Sequence, residues 1–375
     1  MKVITNGKFI LPQQVVEKHH LIFTEVISAL EPDSTPVPTD ATVIDAQGCY
    51  VAPGFINIHI HGTSGSDAMD GTPESLATMA AALTKTGVTS FLPTTMTASW
   101  ENINRALANI KSCQYKYPGA KLLGANVEGP FINPQYKGAQ KEEYIDQAVF
   151  TKIAPYQDYI KLLTVAPETI KNPSFITQCV QAGIIVSLGH SAATYEEAQS
   201  AIGAGASHIT HLFNAMSGLH HRRPGLVGAA LDSTVTVELI CDNIHVHPML
   251  QRLVYKTKGP AKIILITDAM RASQLGDGES ELGGQKVFVN QGKATLANGT
   301  IAGSVLTMNT ALYNFLTNTH ATLPEVIGMV TLNPARELGL SASLGSLEAG
   351  KCADITIFDE AFQIKRTFVN GILCK

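Results

Sequence analysis

The stretch Gly54-Phe-Ile-Asn-Ile-His-Ile-His61, followed by Gly62, decides the fold. Near-continuous apolar runs farther on, Ile184-Ile-Val-Ser-Leu188 and Ile263-Ile-Leu-Ile266, mark strands buried on both faces, and this stretch reads as the first strand of that series. Alternation along the strand turns His59 and His61 to one face at its C-terminal end. Upstream, short β-type stretches at 2–4, 21–26 and 42–45 surround the Pro-rich loop Glu31-Pro-Asp-Ser-Thr-Pro-Val-Pro38, which predicts a small sheet. Downstream, apolar strands alternate with helix-length segments, the pattern of a parallel βα architecture.

Eight such strands are predicted, at 54–61, 89–95, 121–128, 160–166, 184–188, 207–210, 235–241 and 262–267, with helices such as 73–86 and 195–203 between them. Eight βα units over this length fit a closed (β/α)8 TIM barrel. A doubly wound open sheet is the alternative, but no G-x-G-x-x-G and no phosphate loop follows any strand. Residues 271–304, rich in Gly and alternating in Lys286-Val-Phe-Val289 and Lys293-Ala-Thr-Leu296, read as a β-hairpin insertion on the loop face. The tail returns to strands, Ala353-Asp-Ile-Thr-Ile-Phe358 and Arg366-Thr-Phe-Val-Asn-Gly371, too short to fold alone. The expectation is therefore an α/β chain. Residues 54–339 form the barrel, and residues 1–53 plus 340–375 form a small discontinuous β-sandwich domain.

Composition narrows the partners. Of 375 residues, 45% are hydrophobic and 15% charged, enough apolar material for a large core and no mark of disorder. The net charge of −4, without long charged runs, argues against nucleic acid or an anionic membrane as partner and for a small molecule. Neither a signal-like N-terminus nor a membrane-length apolar run is visible, so a cytoplasmic protein is expected. The six cysteines are scattered with no C-x-x-C pair and read as reduced thiols without a catalytic part.

The H-x-H pair is ambiguous by itself, since strand histidines are often only hydrogen-bonded. It gains weight from the other candidates: Glu128 ends strand three, His190 follows strand five, His211 follows strand six and Asp268 follows strand eight. All fall at the C-terminal rim, where barrel enzymes build their active sites. Imidazoles with carboxylates suit Zn²⁺ or Fe²⁺, which activate water near neutral pH, and a carboxylate beside that water suits general base then general acid work. Asp268 fits this role. His208 is either an alternative ligand or a core residue supporting His211. In His245-Val-His247, His245 is read as a substrate contact and His247 as surface. Asp67, Asp70 and Glu74 are read as helix-start charges, and His19 and His20 as solvated.

Longer motifs accompany these residues. Ala52-Pro-Gly-Phe55 and Gly345-Ser-Leu-Glu-Ala-Gly-Lys-Cys-Ala-Asp354 bracket the barrel. Glu128-Gly-Pro-Phe131, Gly189-His-Ser191, Thr210-His-Leu-Phe-Asn-Ala-Met216, Thr267-Asp-Ala269 and Gly303-Ser-Val-Leu-Thr-Met308 lie at strand ends and after the insertion. On these motifs the chain resembles the amidohydrolase superfamily and, within it, the N-acetylglucosamine-6-phosphate deacetylase family. The first two motifs and the H-x-H are superfamily-wide, and the others are the more specific.

The resemblance implies a hydrolase of amino-sugar catabolism and recycling. It would convert N-acetyl-D-glucosamine 6-phosphate to D-glucosamine 6-phosphate and acetate, with Asp268 as base and acid. It implies that Glu128, His190 and His211 hold a catalytic divalent metal, Zn²⁺ or Fe²⁺, and that His59 and His61 complete a second site bridged through Glu128. That gives one or two ions per subunit. It assigns substrate contacts to Ala139, Gln140, Asn214, Ala215, Arg222, His245, Ile301, Ala302 and Gly303, with the Arg222 guanidinium suited to phosphate. The family further suggests a homodimer with Arg222 acting across the interface. A cyclic-amide hydrolase of the dihydroorotase kind is the nearest rival, but the fourth strand lacks a lysine at its rim. A catalytically silent sugar-phosphate binder is the rival from another class.

Overall fold

The structure is a computed structural model that describes residues 1–114 and 118–375. Its centre is a parallel sheet of β1 (Phe55–Ile60), β2 (Val88–Thr95), β3 (Ala125–Glu128), β4 (Ile160–Val165), β5 (Ile185–Leu188), β6 (His208–Ile209), β7 (Thr236–Ile240) and β8 (Ile263–Ile266). Each pairs with the next in chain order. Apart from two half-buried residues, Lys161 in β4 and Ile185 in β5, these strands are buried along their whole length. Ile58, Phe91, Val127, Leu163, Val186, Ile209, Val237 and Ile264 join one apolar core with the surrounding helices. The fold is the expected TIM-like barrel.

The seam between β1 and β8 carries no regular ladder. At the C-terminal end, Asp268 N–H donates to the His59 carbonyl (3.0 Å) and His61 N–H to the Ala269 carbonyl (2.9 Å). Deeper in the barrel, Ile56 N–H donates to the Val330 carbonyl (2.7 Å) and Leu265 N–H to the Met329 carbonyl (3.2 Å). The chain after the helix Leu323–Gly328 thus plugs the lower seam, satisfying strand groups that burial would otherwise leave unpaired. The candidate metal ligands close the upper seam.

Two predicted strands shorten. The third breaks into Lys121–Leu122 and Ala125–Glu128 at Gly124, whose φ is +145° and where an added Cβ would sit 2.6 Å from the Tyr159 carbonyl oxygen. The sixth keeps only His208–Ile209, because the chain turns left-handed at His211. The predicted helices form, Pro73–Thr84 behind its Thr72 cap and Tyr195–Gly203 behind a Thr194/Glu197 capping box.

Both termini enter the remaining sheets. One has the order Ile27–Pro32, His19–Phe23, Lys2–Thr5, Thr42–Asp45; the other runs Ile372–Leu373, Ile364–Val369, Ile355–Phe358, Tyr50–Pro53, Lys8–Ile10, Val15–Val16. Ile4, Leu21 and Phe23 of the first share a core with Phe9, Val51, Ile355 and Phe368 of the second, the packing of two facing sheets. Here the reading of His20 as solvated fails. Although alternation sets it on the face opposite the core residues Leu21 and Phe23, it is 1% exposed and 3.6 Å from Asp33, while His19 is half-buried with Nδ1 2.7 Å from the Glu17 carbonyl oxygen.

The insertion has one strand more than a hairpin: Gly278–Leu282, Gln285–Asn290 and Lys293–Leu296. Both of its turns, Gly283-Gly284 and Gln291-Gly292, have two successive positive φ angles, the backbone that two-residue hairpins require. Its apolar face, with Leu282, Val287 and Val289, packs on Met96, Ala139, Met270 and Ala302 and so covers part of the rim. Among the described residues, no helix is long and apolar enough to cross a membrane.

Candidate active site

Two triads of ligand-type side chains, all buried, converge at the rim. They are His59, His61 and Asp268, and Glu128, His190 and His211, the ligand atoms of each lying within 4.8 Å of one another. The histidine pair occupies alternate positions at the end of β1, and Glu128 is the last residue of β3. His190, His211 and Asp268 each lie two residues beyond a strand end, with φ of +49°, +29° and +49°. Left-handed backbone is unfavourable for residues with a Cβ and persists where the surroundings enforce it, commonly at functional sites.

Glu128 joins the triads. Its Oε1 lies 3.1 Å from His190 Nε2, 3.0 Å from His211 Nε2 and 3.4 Å from His59 Nε2, while Oε2 lies 3.3 Å from His61 Nε2. Asp268 Oδ1 is 3.2 Å from His61 Nε2 and 3.5 Å from His59 Nε2. Burial opposes charge on His59, His61, Glu128 and Asp268, yet the mutual contacts prevail. His61 is pushed up to about 10 by hydrogen bonds to Asp268 and Glu128 against burial. Glu128 is held well below the usual carboxylate range by the charges of His190 and His59, and Asp268 is lowered by its bond to His61.

The ring tautomers suit metal ligation. His61 Nδ1 faces the Thr94 carbonyl oxygen (3.2 Å) and His190 Nδ1 the Tyr136 carbonyl oxygen (2.8 Å). Each Nδ1–H is thereby used as a donor, leaving the Nε2 lone pair to point inward. His59 Nε2 is buried and makes no hydrogen bond. The Nε2 atoms of His190 and His211 stand 3.1 Å apart, an arrangement of lone pairs that a cation between them reconciles. Four imidazoles and two carboxylates form a donor set that suits divalent metal.

Above the triads lies a cavity of about 280 Å³, the scale of a small-molecule site. His61, Glu128, His190, His211 and Asp268 form its floor, and its walls include Ala139, Gln140, Asn214, Ala215, His245, Ile301 and Gly303. Most of the predicted substrate residues are therefore brought together. Ala302 is fully buried behind this wall, and its N–H donates to the Ala294 carbonyl oxygen (3.1 Å). Arg222 is exposed, 2.8 Å from His221, and lines no part of the cavity. Gln140 is doubly engaged: its Oε1 accepts from Thr97 N–H and its Nε2 donates to Glu128 Oε2, both at 2.8 Å. His245 Nδ1 lies 2.6 Å from Asp242 Oδ2, which raises the imidazole's pKa against burial.

The sequence model of the amidohydrolase family matches residues 50–374. The chain belongs to the amidohydrolase family. Among its relatives, the N-acetylglucosamine-6-phosphate deacetylase of Bacillus subtilis (strain 168) is 39% identical over 92% of this chain and 89% of its own. The N-acetylgalactosamine-6-phosphate deacetylase of Escherichia coli O157:H7 is 38% identical over 96% of this chain and 95% of its own. The crystal structure of N-acetylglucosamine-6-phosphate deacetylase from Pasteurella multocida superposes with a TM-score of 0.95 at 35% identity and covers 99% of both chains.

This amidohydrolase site also contains residues that the sequence reading missed. Glu238, fully buried in β7, lies with Oε2 3.0 Å from His59 Nδ1 and accepts the His211 N–H at 3.0 Å. Its Oε1 is 3.3 Å from His208 Nε2, and His208 Nδ1 is 3.0 Å from Glu337. His208 therefore takes the supporting place and is not a ligand. Burial lowers its pKa, but its bonds to Glu238 and Glu337 outweigh this and push it up to about 9. Glu168 accepts from Ser191 Oγ (2.7 Å), the Ala192 N–H (2.6 Å) and Asn133 (2.9 Å), fixing the turn that carries His190. A lone acid inside Thr236-Val-Glu-Leu-Ile240 was the available signal for Glu238, since a charge in a fully buried strand demands a partner.

Proposed function

We propose that this chain hydrolyses the acetamide of N-acetylglucosamine 6-phosphate, releasing acetate and glucosamine 6-phosphate. The observation that carries the reading is a pair of ligand triads, joined by Glu128, on the floor of a small cavity that Asp268 and His245 also line. Glu128, His190 and His211 would hold one divalent ion, with His59, His61 and Asp268 around a second. Zinc or iron suits either set. An ion bound there supplies Lewis acidity, polarising a carbonyl oxygen and lowering the pKa of water from about 15.7 to about 7.

The chain's own groups handle the proton and the orientation. Asp268 takes the proton of the attacking water and returns it to the nitrogen as the C–N bond breaks. His245, held by Asp242 through Nδ1 with its pKa raised, donates to the acetamide oxygen as negative charge develops there. Gln140 is less suited to that task because both ends of its amide are engaged; it orients Glu128. Among the described residues, the cavity lining contains no Lys or Arg, so a phosphate needs a cation from outside that lining. We assign Arg222 to it from the second subunit of a homodimer.

The test is acetate release from N-acetylglucosamine 6-phosphate, its galactosamine epimer, N-acetylglucosamine and dihydroorotate by metal-analysed protein. Turnover of the phosphorylated glucosamine compound, lost on chelation and restored by Zn²⁺ or Fe²⁺, is expected. Similarity to the galactosamine-type relative makes the epimer the competing substrate, and faster turnover of it would reverse the assignment. Ring opening of dihydroorotate alone would defeat the deacetylase reading.

A further inference from the structure

The most unusual feature of the barrel interior is a buried line of charge running down from the ligand triads. TIM-barrel interiors are layers of branched apolar side chains. Here Glu238 stands between Val237 and Leu239 with no exposure, joined upward to His59 and sideways to His208, and His208 joins Glu337, which also accepts from Thr236 Oγ1 at 2.8 Å. Burying a carboxylate as fully as Glu238 is costly unless it is paired, so the arrangement points to a task that apolar side chains cannot perform.

The four triad imidazoles differ in what stands behind them. Neutral carbonyl oxygens back His61 and His190, and His211 Nδ1 has no hydrogen-bond partner. His59 alone is backed by a carboxylate. A carboxylate behind a metal-ligating histidine fixes its tautomer, aims the other nitrogen and makes it more basic. We infer that Glu238 is the positioning residue of the His59–His61–Asp268 ion, holding His59 with Nδ1 as donor and Nε2 turned to the metal, and thereby setting the affinity of that ion over its neighbour's. His208, paired on its other nitrogen with Glu337, stands 3.3 Å from the second oxygen of Glu238 and supports it in turn. The inference rests on the two-ion reading above.

Zn²⁺ titration of metal-free protein against a chromophoric chelator tests both. Wild type should take up two ions. Glu238→Gln keeps the shape and one acceptor but removes the charge. It should weaken one of the two ions by about 10- to 100-fold, the usual range for such outer partners, and leave the other within about threefold. His61→Ala should weaken the same ion, identifying it. If wild type binds a single ion, the two-ion reading fails. If it binds two and Glu238→Gln weakens neither, or both equally, the positioning role is overturned while two-ion binding stands. Should Glu238→Gln not fold, Glu238→Asp, which keeps the charge but falls one methylene short of His59, must show the same selective loss or the inference fails.

Discussion

Replacing Asp268 by Asn isolates the proton-transfer step. The cavity floor offers two carboxylates, Glu128 and Asp268. Glu128 Oε1 is taken up by His190 and His211, and Oε2 accepts from Gln140. Asp268 has Oδ1 toward His61 and His59, while its side chain remains 12% exposed at the cavity. His245 is a poor substitute base, because its Nδ1 is engaged by Asp242 at 2.6 Å, which raises the imidazole's pKa. With no second base in reach, the variant should lose the full contribution of a positioned acid and base, about 10²- to 10⁴-fold in kcat, or roughly 3–5 kcal/mol of transition-state stabilisation. KM should change little, since the step lost follows binding. The assay is initial acetate release at saturating Zn²⁺, with metal content measured on the same sample. A kcat within tenfold of wild type in metal-loaded Asp268→Asn would refute the assignment.

Other expectations follow from the same geometry. Arg222→Ala should raise KM for the phosphorylated sugar about 10- to 100-fold, the scale of a lost charge-assisted contact, and leave unphosphorylated N-acetylglucosamine unaffected; equal loss on both would remove Arg222 from the phosphate site. Gly371→Ala should destabilise by at least about 1–3 kcal/mol. Its φ is +72° and the new Cβ would lie 1.7 Å from the Thr24 carbonyl oxygen, so an unchanged Tm would contradict this packing. His208 is raised in the folded state from about 6.5 to about 9. Its contribution is therefore fully present below pH 6.5 and lost as pH rises through about 9, at most about 3 kcal/mol. In metal-free protein, denaturant midpoints should fall between pH 7 and 10, and His208→Gln should flatten that fall; equal slopes would refute it.

What the sequence made legible follows the reach of its signals. Apolar runs alternating with helix-length segments marked the barrel strands, and strand ends marked the rim, so Glu128, His190, His211 and Asp268 were placed at the rim without coordinates. Boundaries failed where one backbone angle decided them, at Gly124 and beyond Ile209. His20 was misjudged because it lies on the strand face opposite the core residues Leu21 and Phe23, which alternation gives to solvent, and yet it is covered there. Glu238 was missed for a different reason. Its partners come from strands one and six and from the turn beyond strand six, which lie far from it in sequence and meet only when the barrel closes. Arg222 shows the converse, since its basic loop reads by itself as a solvated face and the structure leaves it exposed, away from the cavity lining.

The seam of the barrel ties folding to the metal site. Strands β1 and β8 meet through the Asp268 N–H to His59 carbonyl and His61 N–H to Ala269 carbonyl bonds, made by the backbone of the residues whose side chains form one triad. In metal-free protein that triad concentrates imidazoles and carboxylates whose pKa values are strongly displaced by burial and by one another, so local stability at the seam depends on their protonation. An ion bound by His59, His61 and Asp268 joins the two strands through side chains as well as backbone. Binding to the closed barrel alone stabilises it by RT ln(1 + [M]/Kd), about 2.7 kcal/mol at a hundredfold excess over Kd. The lower seam, held by the Met329 and Val330 carbonyls, has no such dependence. Hydrogen exchange should therefore slow on metal addition at the amides of His61 and Asp268 and change little at Ile56 and Leu265. Uniform slowing along both halves would mean that the ion stabilises the whole barrel and does not act through this seam.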